Sequence, residues 1–259
     1  MNTVTVASAS SAPAQPLWRC YWLEARNEFL RLLRTPSFVV PTLLFPPMFY
    51  LLFAVMLNRR GGVDTAAYLL ATYGVFGVMA PGLFGFGVAI ALDRERGFLA
   101  LKRALPVPAG AVVLARIAMA MLFAALISLL LALLGVAVAG VELSPAQVLL
   151  LLAVDVLGVV PFCAIGLYVG CLVGGQGAPA VINLLYLPMA FLAGLWMPLS
   201  ALPALLQALA PLWPAHHLAQ LGLAVVGAPH DGRFAQHVLV LASYTAVFFV
   251  LARRRLARA

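Results

Sequence analysis

Charge is what this sequence has least of. Charged residues make up 9% of its 259 positions and hydrophobic residues 64%, where a soluble domain carries roughly 25% and 45–50%. That balance excludes a water-soluble globular enzyme, a disordered chain and a nucleic-acid-binding domain, and it points to an all-α membrane protein whose apolar surface faces lipid. Lysine is nearly missing: Lys102 stands alone among the basic residues, the rest being arginine. A P-loop needs G-x-x-x-x-G-K-[ST]; Lys102 follows Leu101, so the chain has no P-loop, and any ATP that drives it is bound by another subunit. Cysteine is scarce too. Cys20, Cys163 and Cys171 lack metal-ligand spacing and read as reduced structural residues. Residues 1–16 carry no basic residue and no apolar core, so they read as a disordered tail rather than a signal peptide.

What is there is a series of long uncharged runs. A span needs about 20 apolar residues for a 30 Å hydrocarbon core. Six runs qualify, at about 38–57, 66–92, 111–139, 148–173, 178–196 and 234–252. Residues 198–233 are apolar as well, but Pro198, Pro203, Pro211, Pro214 and Pro229 cut them into short pieces, which predicts short interfacial or re-entrant helices before the last span. The net charge is +8. With six spans and the N-terminus inside, 13 basic residues fall on the cytoplasmic side and Arg59, Arg60 and Arg233 fall outside, recovering all 16. The positive-inside rule thus favours six spans with both ends cytoplasmic.

Residues 17–35 have helical periodicity. Trp18, Trp22, Ala25, Phe29, Leu32 and Leu33 share one face, while Glu24, Asn27, Arg31 and Arg34 share the other; Arg26 adds to the basic residues. This predicts an amphipathic helix lying in the membrane interface. The one dense charge cluster within the body of the chain is 93–108, between the second and third spans. Leu101 and Leu105 lie one turn apart with Phe98 beside them, flanked by Glu95, Arg96, Lys102 and Arg103 and stopped by Pro106 and Pro108. That pattern fits a short cytoplasmic helix docking into a partner's groove.

With these residues in view, the chain resembles the permease subunits of ABC-2 type exporters. Glu95-Arg96-Gly97-Phe98-Leu99, Leu101 and Pro106-Val107 are similar to that family's loop after the second span. Arg34-Thr35-Pro36-Ser37-Phe38 with Pro41 and Phe45-Pro46 looks like its entry to the first span. Met197 to Pro203 and Leu209 to Pro214 look like its pair of short extracellular helices. The resemblance covers about 17–255 and implies one transmembrane domain over 17–259. It implies that two permease chains form a transmembrane pathway in a bacterial plasma or inner membrane. It also implies that separate ATP-binding subunits, using ATP and Mg, dock beneath, with Glu95, Arg96, Gly97, Phe98, Leu101, Lys102, Arg103, Leu105 and Pro106 forming the coupling helix. This chain itself would hold no catalytic residue, cofactor or metal, and would bind lipid and no nucleic acid. Substrates in the family include drugs, lipids and glycan-type amphipaths.

Asp155 is the one acid inside an expected span; a charge there costs roughly 2.5–3.5 kcal/mol on insertion scales, so it is a candidate for the substrate pathway, or else neutral or snorkelling. Arg116, a turn into the third span, is expected to snorkel to headgroups on the half of the membrane away from Asp155. Gly158, Gly166, Gly170 and Gly174 recur every four or eight residues and predict close helix packing. His216, His217, His230 and His237 read as polar interface residues more readily than as a metal site. An ion-coupled secondary transporter is the rival reading; it would call for several intramembrane polar coordination sites and internal repeats, where this sequence shows one acid and no evident repeat.

Overall fold

A computed structural model describes residues 17–57, 62–98, 101 and 109–256. The expected tail at 1–16, and the loop residues Lys102, Arg103, Leu105 and Pro106, lie outside the described residues. Among those described, every regular element is helical. Helix α1 covers Leu17–Leu33. Five further helices are long and apolar enough to cross a membrane: α2 Pro36–Met56, α3 Gly62–Glu95, α4 Ala109–Ala137, α5 Pro145–Leu172 and α9 Phe234–Leu256. Between α5 and α9 lie α6 Ala178–Leu192, α7 Ala204–Leu209 and α8 Pro214–Val225.

The fifth expected span, 178–196, differs from the structure. Its helix stops at Leu192 after 15 residues, about 22 Å of rise. Gly194 takes φ +76°, a left-handed conformation that glycine adopts at little cost, and the chain turns there although its apolar run continues to Trp196. The second expected span is longer than the sequence suggested. Pro81 does not end α3; the helix widens into a π-helical stretch at Pro81–Val88 and continues to Glu95. Proline removes one backbone donor and crowds the preceding turn, and a π-turn is one way for a helix to absorb that disturbance. A capping box starts α5: Gln147 N–H donates to Ser144 Oγ at 3.3 Å, and Ser144 N–H donates to Gln147 Oε1 at 2.9 Å.

The widened stretch of α3 packs tightly on α5, at the glycines. A Cβ placed on Gly166 would lie 2.7 Å from the Gly82 carbonyl oxygen, and one on Gly87 would lie 2.8 Å from the Gly166 carbonyl oxygen. Backbone meets backbone there, as small residues permit in membranes. Gly158, on the same helix, instead admits Leu218 of α8. Thus α5 is the central post, touching α3, α4, α8 and α9. It packs along α9, where the Tyr168 and Phe248 rings meet with centroids 5.6 Å apart. Helix α6 starts at the turn beside Glu95 and ends where Tyr68, near the start of α3, donates to the Gly194 carbonyl at 2.8 Å.

Candidate functional site: the charged base and the apolar cleft

Helices α1, α3, α4 and α5 converge at the end of the bundle that also carries Arg253, Arg254 and Arg255 of α9. Arg116 of α4 is fully buried there, so the snorkelling expected from its position does not occur. Its Nε lies 3.1 Å from Glu28 Oε1 of α1, and its guanidinium also pairs with Asp93 of α3. Arg31 completes the group, reaching Asp93 through two contacts of 3.4 Å and Glu28 at 3.5 Å. Among the described residues, two cations and two carboxylates therefore balance in one cluster. In low-dielectric surroundings an unpaired charge is costly, so this pairing fixes α1 against α3 and α4.

The cluster explains how α1 sits. Trp18 and Trp22 are 69% and 65% exposed, as expected for residues facing lipid or its interface. Arg26 and Arg34 are exposed and Phe29 is half-buried. Glu28 is buried and Arg31 turns its guanidinium to Asp93. The polar side of α1 thus supplies bundle contacts as well as exposed charges. Pattern reasoning missed Glu28 and Asp93. The available signal was Arg116 itself, an arginine inside an apolar helix, which needs an acid from somewhere.

Just beyond Asp93 the chain is pinned a second time. The Arg94 guanidinium donates to the Cys171 carbonyl and, at 2.8 Å, to the Val173 carbonyl, satisfying acceptors at the C-terminal end of α5. Gly175 N–H donates to Glu95 Oε2 at 2.5 Å. Glu95 is therefore tied to the α5–α6 turn, where the sequence had suggested an orienting charge for a partner. Gly97 takes φ +74° and turns the chain out of α3. Beyond it Phe98 and Leu101 are 45% and 58% exposed, and Leu101 N–H bonds back to the Gly97 carbonyl at 3.1 Å. Of the expected coupling residues, Glu95, Arg96, Gly97, Phe98 and Leu101 are thus placed together at this end.

A cleft of about 630 Å³ opens on the side of the bundle between α2, α3 and α6. Aromatic rings dominate it: Phe38, Phe45 and Phe49 from α2, Phe76 and Phe84 from α3, and Tyr186 from α6. The Tyr186 hydroxyl is spent on the Phe76 carbonyl, at 3.0 Å. Among the described residues, no charged side chain lines the cleft. Asp155 does not line it either. Its carboxylate is fully buried between α3, α4 and α5, faces Gly74, and has Ser128 alongside but outside hydrogen-bond geometry.

At the opposite end of the bundle, His216, His217 and His237 cluster with Asp231. Among the described residues no group of three or more His, Cys, Asp or Glu is arranged to hold a metal ion.

The family model described as ABC-2 type transporter matches residues 19–226. The chain is also similar to the Bacillus subtilis (strain 168) protein named "Putative transport permease YvfS", with 26% identity over 230 residues, covering 87% of this chain and 92% of that protein. The match takes in the charged base, the exposed Phe98 and Leu101 and the cleft, and the chain belongs to the ABC-2 type transporter family of membrane proteins.

Proposed function

We propose that this chain is the membrane subunit of an ATP-driven exporter, that two copies enclose the transport pathway, and that separate ATP-binding subunits dock on the segment at 93–108. The observation that carries this reading is the contrast between Asp93–Glu95 and Phe98–Leu101. The first three residues are pinned to α1, α4 and α5. The next described residues present apolar side chains outward. A lever needs both a rigid base and a free contact face.

Six crossings with both termini cytoplasmic fit the distribution of arginines and the path of α6. The turn before α6 meets Glu95 at one end of α3, and Gly194, just past α6, meets the side chain of Tyr68 towards the other. A reporter fused after Ala259 is expected to read cytoplasmic, and one inserted near His230 extracytoplasmic. An outside reading at Ala259 would remove the sixth crossing. The bacterial plasma membrane is the expected site. The cleft supports an amphipathic substrate, a drug, lipid or lipid-linked glycan, because its aromatic lining offers apolar contact and no fixed charge. Asp155, enclosed among three helices, is assigned here to the body of the bundle and not to the substrate path.

Leu101→Asp tests the docking. Burying one leucine contributes about 1.5–3 kcal/mol, so the variant should bind the ATP-binding subunit roughly ten- to a hundredfold more weakly. Leu101 is exposed, so membrane insertion should be unchanged. Co-purification and substrate-stimulated ATPase are measured beside Arg258→Ala. Normal assembly and transport in Leu101→Asp would overturn the docking assignment. Gradient-driven transport by the chain alone would overturn the ATP-driven reading.

A further inference from the structure

His217 of α8 and His237 of α9 touch through their Nδ1 atoms, 2.8 Å apart. Each ring is engaged on its other nitrogen. His217 Nε2 lies 2.8 Å from the Pro211 carbonyl oxygen, and His237 Nε2 lies 2.7 Å from Asp231 Oδ1. The protons in this chain can be counted. A carbonyl only accepts, so His217 Nε2 carries a hydrogen. The contact between the two Nδ1 atoms is a hydrogen bond only with a proton between them. The contact between His237 and Asp231 needs one as well. That makes three protons, whereas two neutral imidazoles and an ionised carboxylate bring two. With the third proton the unit is electrically neutral. Without it, one of the three contacts sets lone pair against lone pair.

We propose that Asp231, His237 and His217 form a proton-operated clamp between α8 and α9, closed only while the three groups share three protons. The clamp ties the 210–217 segment to the first turn of the last long helix, at the end of the bundle opposite Arg253, Arg254 and Arg255. It is a response to proton concentration on that side of the membrane, built into the contact between the short helices and α9.

The surrounding groups leave this count intact. From α8, His216 sets its ring edge-on, 5.5 Å from His217 and 6.3 Å from His237. Burial, then the positive charge that His217 and His237 carry when protonated, brings His216 down to about 4, so it stays neutral through the physiological range. Burial, reinforced by His237, also holds His217 below its usual value, against the Pro211 carbonyl and Asp231. His217 is thus the ring that accepts at the contact between the two Nδ1 atoms. From the loop before α9, Arg233 N–H donates to Asp231 Oδ1 at 3.0 Å and its guanidinium favours the ionised carboxylate. Gln220 Oε1 accepts from Asp231 N–H, and His230 Nδ1 is engaged with the Ala228 carbonyl. On α9, Tyr244 donates to the Leu212 carbonyl. From α3, Asp64 lines the groove that Gln220 and Pro229 share. From α5, Asp155 lies one turn from Gly158, where Leu218 packs.

The sign of the pH dependence follows from the count. On the alkaline side the folded clamp holds one proton more than the same groups in the unfolded chain, so stability falls as pH rises and that proton leaves. On the acid side an unfolded imidazole takes up a proton below roughly pH 6.5. The folded His217 refuses it, so stability falls there as pH falls. The full chain in lipid nanodiscs, melted between pH 5 and 9, should therefore show a maximum with a limb on each side. His237→Gln removes the shared proton and should abolish the alkaline limb. Asp231→Asn keeps an acceptor oxygen for His237 but removes the charge, and should move that limb about one pH unit towards acid. If His237→Gln does not fold, the displacement in Asp231→Asn decides by itself. A flat wild-type profile above pH 6.5, or an alkaline limb unmoved in Asp231→Asn, would overturn the clamp.

Discussion

Arg116→Met should still insert into membranes but should lose several kcal/mol of stability and release α1 from the bundle. The guanidinium is completely enclosed, and the side chains of Glu28 and Asp93 are only 6% and 4% exposed. Methionine fills much of the same volume, so packing changes little. What changes is that two buried carboxylates are left with Arg31 alone, itself partly in solvent. Removing one partner of a buried ion pair costs about 3–5 kcal/mol, whereas replacing the whole group by neutral residues is often close to neutral. The triple variant Glu28→Gln, Asp93→Asn, Arg116→Met should therefore recover most of the loss. Thermal melting in nanodiscs gives the stability, and fluorescence of Trp18 and Trp22 reports the release of α1. A loss below about 1 kcal/mol in the single variant, the level of an exposed pair, would mean that the cluster is not closed to water.

That cluster marks the boundary of what the sequence made legible. Long uncharged runs translate directly into helices, because a backbone in lipid must satisfy its own hydrogen bonds. The long helices α2, α3, α4, α5 and α9 accordingly lie close to where they were expected. In the proline-dense stretch 198–233 the helices α7 and α8 are short, 6 and 12 residues. The departures arise where a distant partner decides. Glu28 and Arg31 look like surface charges on α1 until Arg116 and Asp93 are brought beside them by tertiary packing. The end of α6 depends on the left-handed turn at Gly194 and on Tyr68, far away in sequence, bonding its carbonyl. His217 and His237 belong to different helices, and no periodicity within either one pairs them. Phe98 and Leu101 are exposed, but their pinned base, through Arg94 to the end of α5, had no signal in the local sequence.

The glycine contact between α3 and α5 leads to the second large effect. Gly166→Val should prevent stable folding, and Gly166→Ala should be markedly destabilised, whereas Gly85→Ala should be nearly silent. A Cβ at Gly166 would lie 2.7 Å from the Gly82 oxygen and 3.0 Å from the Leu83 oxygen. Both are backbone atoms, so no rotamer can move aside and the two helices must separate. A Cβ at Gly85 meets the end of the Phe38 ring at 3.2 Å, which can tilt, and Met119 Cε at an ordinary contact distance of 3.7 Å. Overpacking a tight interior typically costs about 1–3 kcal/mol, and Gly166→Val belongs at or beyond the upper limit because lipid offers no hydrophobic force to hold separated helices together. The consequence extends to the charged base. Arg94 at the end of α3 binds carbonyls at the end of α5, so forcing the helices apart at Gly166 should also loosen the segment that presents Phe98 and Leu101. In detergent extracts, Gly166→Ala should lower the melting temperature and weaken retention of the ATP-binding subunit together, while Leu101→Asp should lower retention alone. If Gly166→Ala lowers stability but leaves retention intact, the α3–α5 contact serves folding only and the base of the segment does not depend on it.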